Sequence, residues 1–207
     1  MAPGTVIRDF ASPSQTPIGI AWDGSALWVI DSFASMIYQI DPVTGTVEYS
    51  FTTTVPFYAL TWDGRTLWTT NWKTGSLYQW EPNTGTMIRT VAVGLQWPYG
   101  IAWDGRALWV NDLNATRIYQ VDPVTGTTQT PGWLTPAGAP GDLCWAGGHI
   151  WHCDPAVARV YQLAPLTGTM LQWFNAPGND PFSCCSGGRS LWLCDYTANR
   201  IYQIAIT

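Results

Sequence analysis

The chain has 207 residues, a net charge of −5 at neutral pH and only 11% charged residues. One lysine and eight arginines form no basic stripe, and no apolar run approaches about 18 residues, so nucleic acid and a membrane span are excluded. Residues 1–4 lead directly into the first predicted strand, so we expect no signal peptide in this sequence, which is then either cytosolic or a mature domain given a start methionine. We expect residues 1–207 to form a single domain.

The first predicted elements are five short strands, rich in β-branched or aromatic residues. One covers residues 4–10, and the next four, named a to d, cover 18–22, 27–30, 37–40 and 46–51. Asp23-Gly24 between a and b suits a tight hairpin, because glycine tolerates a positive φ. Pro42 and Gly45 suit the turn between c and d.

The four-strand unit then recurs along the whole chain. Its Tyr-Gln pairs begin at positions 38, 78, 119, 161 and 202, which gives spacings of 40, 41, 42 and 41 residues. Four strands in a unit of this length are typical of a propeller blade, and no stretch shows sustained helical periodicity. The sequence therefore predicts an all-β fold, a five-bladed β-propeller of four-stranded antiparallel blades.

The two ends of the chain predict that the ring is closed. Residues 4–10 match residues 45–51 at an offset of one repeat, so the chain starts with a d strand. It ends after a c strand at residues 201–204 that has no d strand of its own. An open stack of sheets would leave both edges bare. We therefore expect strand 4–10 to pair with strand 201–204.

Four of the five cysteines occupy equivalent positions on strands a and b of blades four and five. If each pair were directly opposed, its Cα atoms would lie within disulfide range. The predicted bridges are Cys144–Cys153 and Cys185–Cys194. Cys184 is then unpaired, and the alternatives are free thiols or a metal site with His149 and His152. Disulfides would place the protein outside the cell or on its surface.

The d–a crossovers and b–c loops share one face of the predicted ring, at the mouth of the central channel. Loops on a rigid scaffold are where function usually resides. The candidate binding residues on this face are Tyr58, Tyr99, Asp142, Phe182, Asp31, Asn71, Asp112, Asp154 and Asp195. The last five share one repeat position and are expected first to fix their loops by accepting backbone amides. Coordination of a ligand or cation by this ring of residues is the alternative.

The tryptophans divide into repeated and non-repeated positions. The repeated ones are Trp22, Trp62, Trp103 and Trp145 in one set and Trp28, Trp68, Trp109, Trp151 and Trp192 in another. They are expected to pack between blades, with stacking on sugars as the alternative. The non-repeated ones are predicted to make exposed contacts, namely Trp72, Trp80, Trp97, Trp133 and Trp173.

Residues 17–31 read P-x-G-I-A-W-D-G-x-x-L-W-V-x-D, and residues 37–45 read I-Y-Q-I-D-P-x-T-G. This pattern resembles the NHL-like and glutamine cyclotransferase-like propellers. The plant- and bacterial-type glutaminyl cyclases are five-bladed and secreted, so the resemblance implies a cyclase. That chemistry is expected to need a carboxylic acid in the central pocket. Neither Glu48 nor Glu81 is expected to point there, and Asp142 is the residue that could substitute.

Low charge and abundant aromatic residues predict a surface covered by neighbours. The first expectation is a non-enzymatic extracellular propeller, a protein-binding or self-assembling scaffold without cofactor or metal. Its partners would be other proteins or further copies of the chain. The alternatives are a glutaminyl-peptide cyclotransferase-like enzyme and a lectin-type propeller that binds glycans.

Overall fold

A computed structural model describes residues 1–13, 15–129, 131–136 and 141–206, and every helix or strand in these ranges is a β-strand. The strands are β1 (Val6–Ala11), β2 (Pro17–Trp22), β3 (Leu27–Asp31), β4 (Met36–Ile40), β5 (Val47–Thr52), β6 (Leu60–Trp62), β7 (Leu67–Asn71), β8 (Ser76–Glu81), β9 (Thr86–Ala92), β10 (Pro98–Trp103), β11 (Leu108–Asp112), β12 (Arg117–Val121), β13 (Trp133–Leu134), β14 (Leu143–Ala146), β15 (His149–Asp154), β16 (Arg159–Leu163), β17 (Met170–Asn175), β18 (Pro181–Ser186), β19 (Ser190–Asp195) and β20 (Arg200–Ala205).

These strands form five antiparallel sheets of four strands each, and every sheet is one blade. Blades 1 to 4 take consecutive strands, which are β2–β5, β6–β9, β10–β13 and β14–β17. Blade 5 has the order β18-β19-β20-β1. The first strands of successive blades contact one another around the ring, so they are innermost. The predicted five-bladed propeller is confirmed. No helix in the described ranges is long and apolar enough to cross a membrane.

The ring closes through the antiparallel pairing of β1 with β20. Phe10 lies opposite Ile201 and Val6 opposite Ile204. The pairing continues beyond the strand, where the Gly4 amide donates to the Ala205 carbonyl at 2.8 Å. The N-terminal strand thus completes the last blade, as the one-repeat offset predicts.

At four of the five junctions between neighbouring blades an aromatic side chain covers a glycine, and at the junction of blades 2 and 3 Val91 lies against Gly126. The Phe10 ring covers Gly45 in the c–d turn of blade 1, where a methyl group would lie 2.6 Å from the ring. Gly45 also has a φ of 75°, so glycine meets both the backbone and the packing requirement. The same contact recurs as Phe51 with Gly85, Trp133 with Gly168, and Phe174 with Gly4.

The repeated tryptophan of strand b is held by the aspartate of the a–b turn. Trp28 Nε1 donates to Asp23 Oδ2 at 2.8 Å, and Asp23 Oδ1 accepts the Ala26 amide at 2.8 Å. The pairs Trp68–Asp63 and Trp109–Asp104 repeat this bond at 2.7 and 2.8 Å. All five tryptophans of this set are buried between blades, which confirms their predicted packing role.

The predicted disulfides are absent, because all five cysteines, which lie within the described ranges, are buried free thiols. The predicted bridges Cys144–Cys153 and Cys185–Cys194 assume a register that is wrong by two residues. Cys144 lies opposite Trp151, and Cys185 lies opposite Trp192. The a–b turn fixes the register of each hairpin, so the thiols of a predicted pair are not directly opposed.

Phe10→Ala is expected to lower the free energy of unfolding by about 2–3 kcal/mol, because it removes the half-buried ring that joins blade 5 to blade 1. The ring centroid of Phe10 also lies 5.8 Å from that of Trp192. Urea denaturation measures the change. Phe33→Ala is the control, because Phe33 is 89% exposed. Equal denaturation midpoints for the two variants would contradict the role of Phe10 in ring closure.

Candidate functional site

A continuous group of aromatic rings lies at the channel mouth, on the face of the d–a crossovers and b–c loops. We call it the aromatic cup, and its members are Tyr58, Trp72, Trp97, Tyr99, Phe182 and Tyr196. Five of the six were predicted as candidate contacts, and the structure brings these five together. Tyr196 was missed, although it follows the repeated Asp195 just as Trp72 follows Asn71.

Ring contacts run across the cup from blade 2 to blade 5. The centroids of Tyr58 and Tyr99 are 5.3 Å apart, and those of Tyr99 and Phe182 are 5.8 Å apart. Phe182 continues to Tyr196 at 5.7 Å. On the other side, Trp72 contacts both Tyr58 and Trp97, at 6.0 and 6.1 Å.

Part of the cup encloses an apolar cavity of about 260 Å³, lined by Tyr58, Trp72, Trp97, Tyr99 and Leu113. Trp97 is 45% exposed and forms an open wall. Lys73 Nζ lies 5.6 Å from the Trp72 ring centroid, which places a cation at the rim. The cavity suits a small apolar or uncharged group beside solvent.

Asp142 lies beneath the cup at the centre of the ring and is 1% exposed. Its Oδ1 accepts the amides of Ile101 at 2.8 Å and Leu143 at 2.7 Å. Its Oδ2 accepts the Ser183 hydroxyl, and Ser183 Oγ accepts the Ile20 amide at 3.0 Å. Burial raises the pKa of Asp142 well above its ordinary value. Through these hydrogen bonds Asp142 and Ser183 link blades 1, 3, 4 and 5 at the centre of the ring.

Asp180 is a second carboxyl group near the mouth, and it is not among the residues predicted from the sequence. It precedes the repeated proline of the d–a crossover, where the other repeats have Thr16, Val55, Trp97 and Ala139. Its amide donates to Asp195 Oδ2 at 2.9 Å, and its carbonyl accepts the Tyr196 amide at 3.0 Å. Partial burial and the Asp195 charge raise the pKa of Asp180.

The environment of Tyr99 connects this carboxyl group to the cup. Burial raises the pKa of Tyr99 above its ordinary value, and Tyr58, Asp142 and Asp180 add to the increase. The Tyr99 hydroxyl therefore stays protonated at neutral pH. It can donate a hydrogen bond to an acceptor bound in the cup.

The five predicted loop residues Asp31, Asn71, Asp112, Asp154 and Asp195 are buried at the ends of their strands. Each accepts backbone amides of its own loop, as Asn71 Oδ1 does from Lys73 at 2.9 Å. This geometry agrees with the predicted loop-fixing role. In the described ranges, no three or more His, Cys, Asp or Glu side chains form a group that could hold a metal ion.

The remaining predicted tryptophans lie away from the mouth. Trp80 is only 2% exposed, and its Nε1 donates to Thr69 Oγ1 at 3.0 Å. The prediction that Trp80 makes an exposed contact is therefore wrong. Trp133 is half-buried, because it fills the inter-blade position that phenylalanine holds in blades 1, 4 and 5. Trp173 is 44% exposed on β17, and the Arg159 guanidinium lies 3.8 Å from its ring centroid.

The fold is similar to that of several solved enzymes. Glutaminyl cyclase from Myxococcus xanthus matches 97% of this chain and 94% of its own at 15% identity, with a TM-score of 0.82. A luciferin-regenerating enzyme matches 95% of this chain and 92% of its own at 13% identity, with a TM-score of 0.67. Virginiamycin B lyase from Staphylococcus aureus matches 96% of this chain and 70% of its own at 19% identity, with a TM-score of 0.55. No protein-family model and no curated protein matches the sequence.

These matches confirm the resemblance to cyclase-like propellers at the level of the fold. They contradict the expectation of a non-enzymatic binding or self-assembling scaffold, because these structurally similar chains are enzymes. The abundance of aromatic residues that suggested a covered surface is explained in part by tryptophans buried between blades.

Asp195→Asn is expected to lower the pKa of Asp180, because it removes the neighbouring negative charge. Asn71 already performs the same loop-fixing role in blade 2, so the loop should persist. Carbon-detected NMR titration of the carboxyl group measures the pKa. The matched change Asp112→Asn in blade 3 should leave the titration of Asp180 unaltered. An unchanged pKa in Asp195→Asn would contradict the electrostatic account.

The raised pKa of Asp180 determines whether the free energy of unfolding rises or falls with pH. The pKa of Asp180 is higher in the folded protein than in the unfolded chain, so the folded state holds this proton more tightly. The resulting stabilisation is present at low pH and is lost as the pH rises through the folded pKa.

Proposed function

We propose that the chain is an enzyme of the glutaminyl-peptide cyclotransferase type, with its substrate bound in the aromatic cup. The observation that carries the proposal is a partly exposed carboxyl group of raised pKa, Asp180, joined by backbone contacts to the cup residue Tyr196. The fold match to a glutaminyl cyclase over nearly the whole of both chains supports it.

The reaction needs one bond made, one bond broken and one proton moved. The free amine of an N-terminal glutamine attacks the side-chain amide carbon, and a five-membered lactam forms as ammonia leaves. A proton passes from the attacking nitrogen to the leaving nitrogen. One carboxyl group can accept the first proton and return it to the second nitrogen.

Asp180 suits this role better than Asp142. Partial burial and the Asp195 charge raise its pKa above the ordinary value, which makes the carboxylate a better proton acceptor, and its partial exposure leaves it open to substrate. Asp142 is fully buried, and its two oxygens already accept two amides and a hydroxyl. We therefore assign proton transfer to Asp180 and the ordering of the channel to Asp142.

The aromatic cup would contribute in two ways. Its apolar walls favour the neutral form of the attacking amine, because desolvation penalises an ammonium ion. The protonated Tyr99 hydroxyl would donate to the amide oxygen, where negative charge develops as the amine attacks. An uncharged glutamine side chain can enter such a cavity without loss of a paired charge.

Three further expectations stay proposals. A location outside the cell or on its surface agrees with the resemblance to secreted cyclases. The extent of the domain, residues 1–207, agrees with the ring that these residues complete. Binding of a protein belongs to the same proposal, because the substrate is the N-terminus of a peptide.

The test is turnover of a short peptide with N-terminal glutamine, followed by ammonia release and by the mass loss of one ammonia. Wild type should cyclise the peptide, and Asp180→Asn should lower kcat/KM by about 100-fold or more, since general acid–base catalysis is lost. Asp122→Asn, in a c–d turn on the opposite face, is the matched control and should retain full activity. Absence of turnover by wild type, or full activity in Asp180→Asn, would overturn the proposal.

A further inference from the structure

The outer edge of blade 3 differs from that of every other blade. Its fourth strand, β13, has two residues, whereas the outer strands of the other blades have six or seven. Pro131 has no amide hydrogen to donate, and Gly132 follows it. A methyl group at Gly132 would lie 2.7 Å from the Ile118 carbonyl oxygen. The sequence therefore interrupts the edge strand before Trp133.

The interruption leaves a cavity of about 360 Å³ between blades 3 and 4, on the face of the a–b and c–d turns. Three indoles line it: Trp109, Trp133 and Trp145. The centroids of Trp109 and Trp133 are 4.9 Å apart, and the planes of Trp109 and Trp145 are 2° from parallel. Leu166, which is 90% exposed, lies at the rim.

Two glutamines supply uncommitted polar groups to this cavity. In blade 2 the repeated Gln79 donates to Thr66 Oγ1 at 2.8 Å and accepts from Arg89 Nε at 2.7 Å. In blade 3, Gln120 has the equivalent position, and Ala107 replaces the threonine. Within the described ranges, the side-chain amides of Gln120 and Gln129 make no hydrogen bond with the protein.

A second concavity of about 300 Å³ continues from the first. The two share Gln120 and Gln129, and the second is also lined by Arg106 and Asp122. Together they form what we call the blade 3 groove, aromatic at one end and polar at the other. Two joined concavities of about 360 and 300 Å³ have room for more than one small ring.

We propose that the blade 3 groove binds an uncharged oligosaccharide of at least two sugar units. Indole faces contact the C–H faces of sugar rings, while amides both donate to and accept from hydroxyl groups. The Asp104 carboxylate at the base already accepts Trp109 Nε1 at 2.8 Å and two turn amides, so it is not free to hold a cation. The site lies on the opposite face from the cup and is independent of the proposed cyclisation.

Saturation-transfer NMR with cellotetraose, xylotetraose and chitotriose tests the proposal. At least one of these should bind with a Kd of about 1 mM or tighter. The double variant Gln120→Ala/Gln129→Ala should weaken that binding about tenfold or more, because it removes the amides and leaves the tryptophans in place. Trp145→Ala should also abolish saturation of the sugar protons, and its thermal midpoint shows whether it remains folded.

Two controls separate this site from other surfaces. Gln39→Ala removes the same repeat position in blade 1, and Trp97→Ala alters the aromatic cup; neither should change sugar binding. Absence of binding by wild type to all three oligosaccharides at about 10 mM would overturn the proposal. So would binding that the double glutamine variant leaves unchanged.

Discussion

The pairing of β1 with β20 is the constraint on which the rest of the structure depends. Each blade is a twisted sheet that buries both faces only when it has a neighbour on each side. The N-terminal strand supplies the fourth strand of blade 5, and Phe10 then covers Gly45 of blade 1. Closure fixes the five inner strands around the channel. Asp142 can therefore accept hydrogen bonds from three blades at once.

The proposed sites both occur where the repeats disagree. In the cup, Trp72 and Tyr196 occupy a position that holds serine, leucine or proline elsewhere, and Asp180 replaces uncharged residues. In the blade 3 groove, Pro131 and Gly132 interrupt an outer strand that is continuous in other blades. A rigid ring tolerates such changes because they lie in loops and at an edge, outside the packed interfaces.

The architecture could be predicted from the sequence, because period, turn residues and the offset of residues 4–10 all agree. The register of each a–b hairpin could not be predicted, because the length of its turn decides which residue lies opposite each cysteine. Burial of Trp80 was also missed, since strand alternation does not show which face a neighbouring blade covers. The cup was found through its crossover residues. Asp180 was overlooked, although comparison of the residues before the repeated proline would have shown it.

The central claim is that the aromatic cup is the place where substrate binds and reacts. A crystal structure with a peptide that carries the lactam product at its N-terminus tests this most directly. The account predicts electron density for the lactam ring against Tyr58 and Tyr99, with its nitrogen towards Asp180. Density for the lactam elsewhere on the ring, with an empty cup in protein that cyclises the peptide, would contradict it.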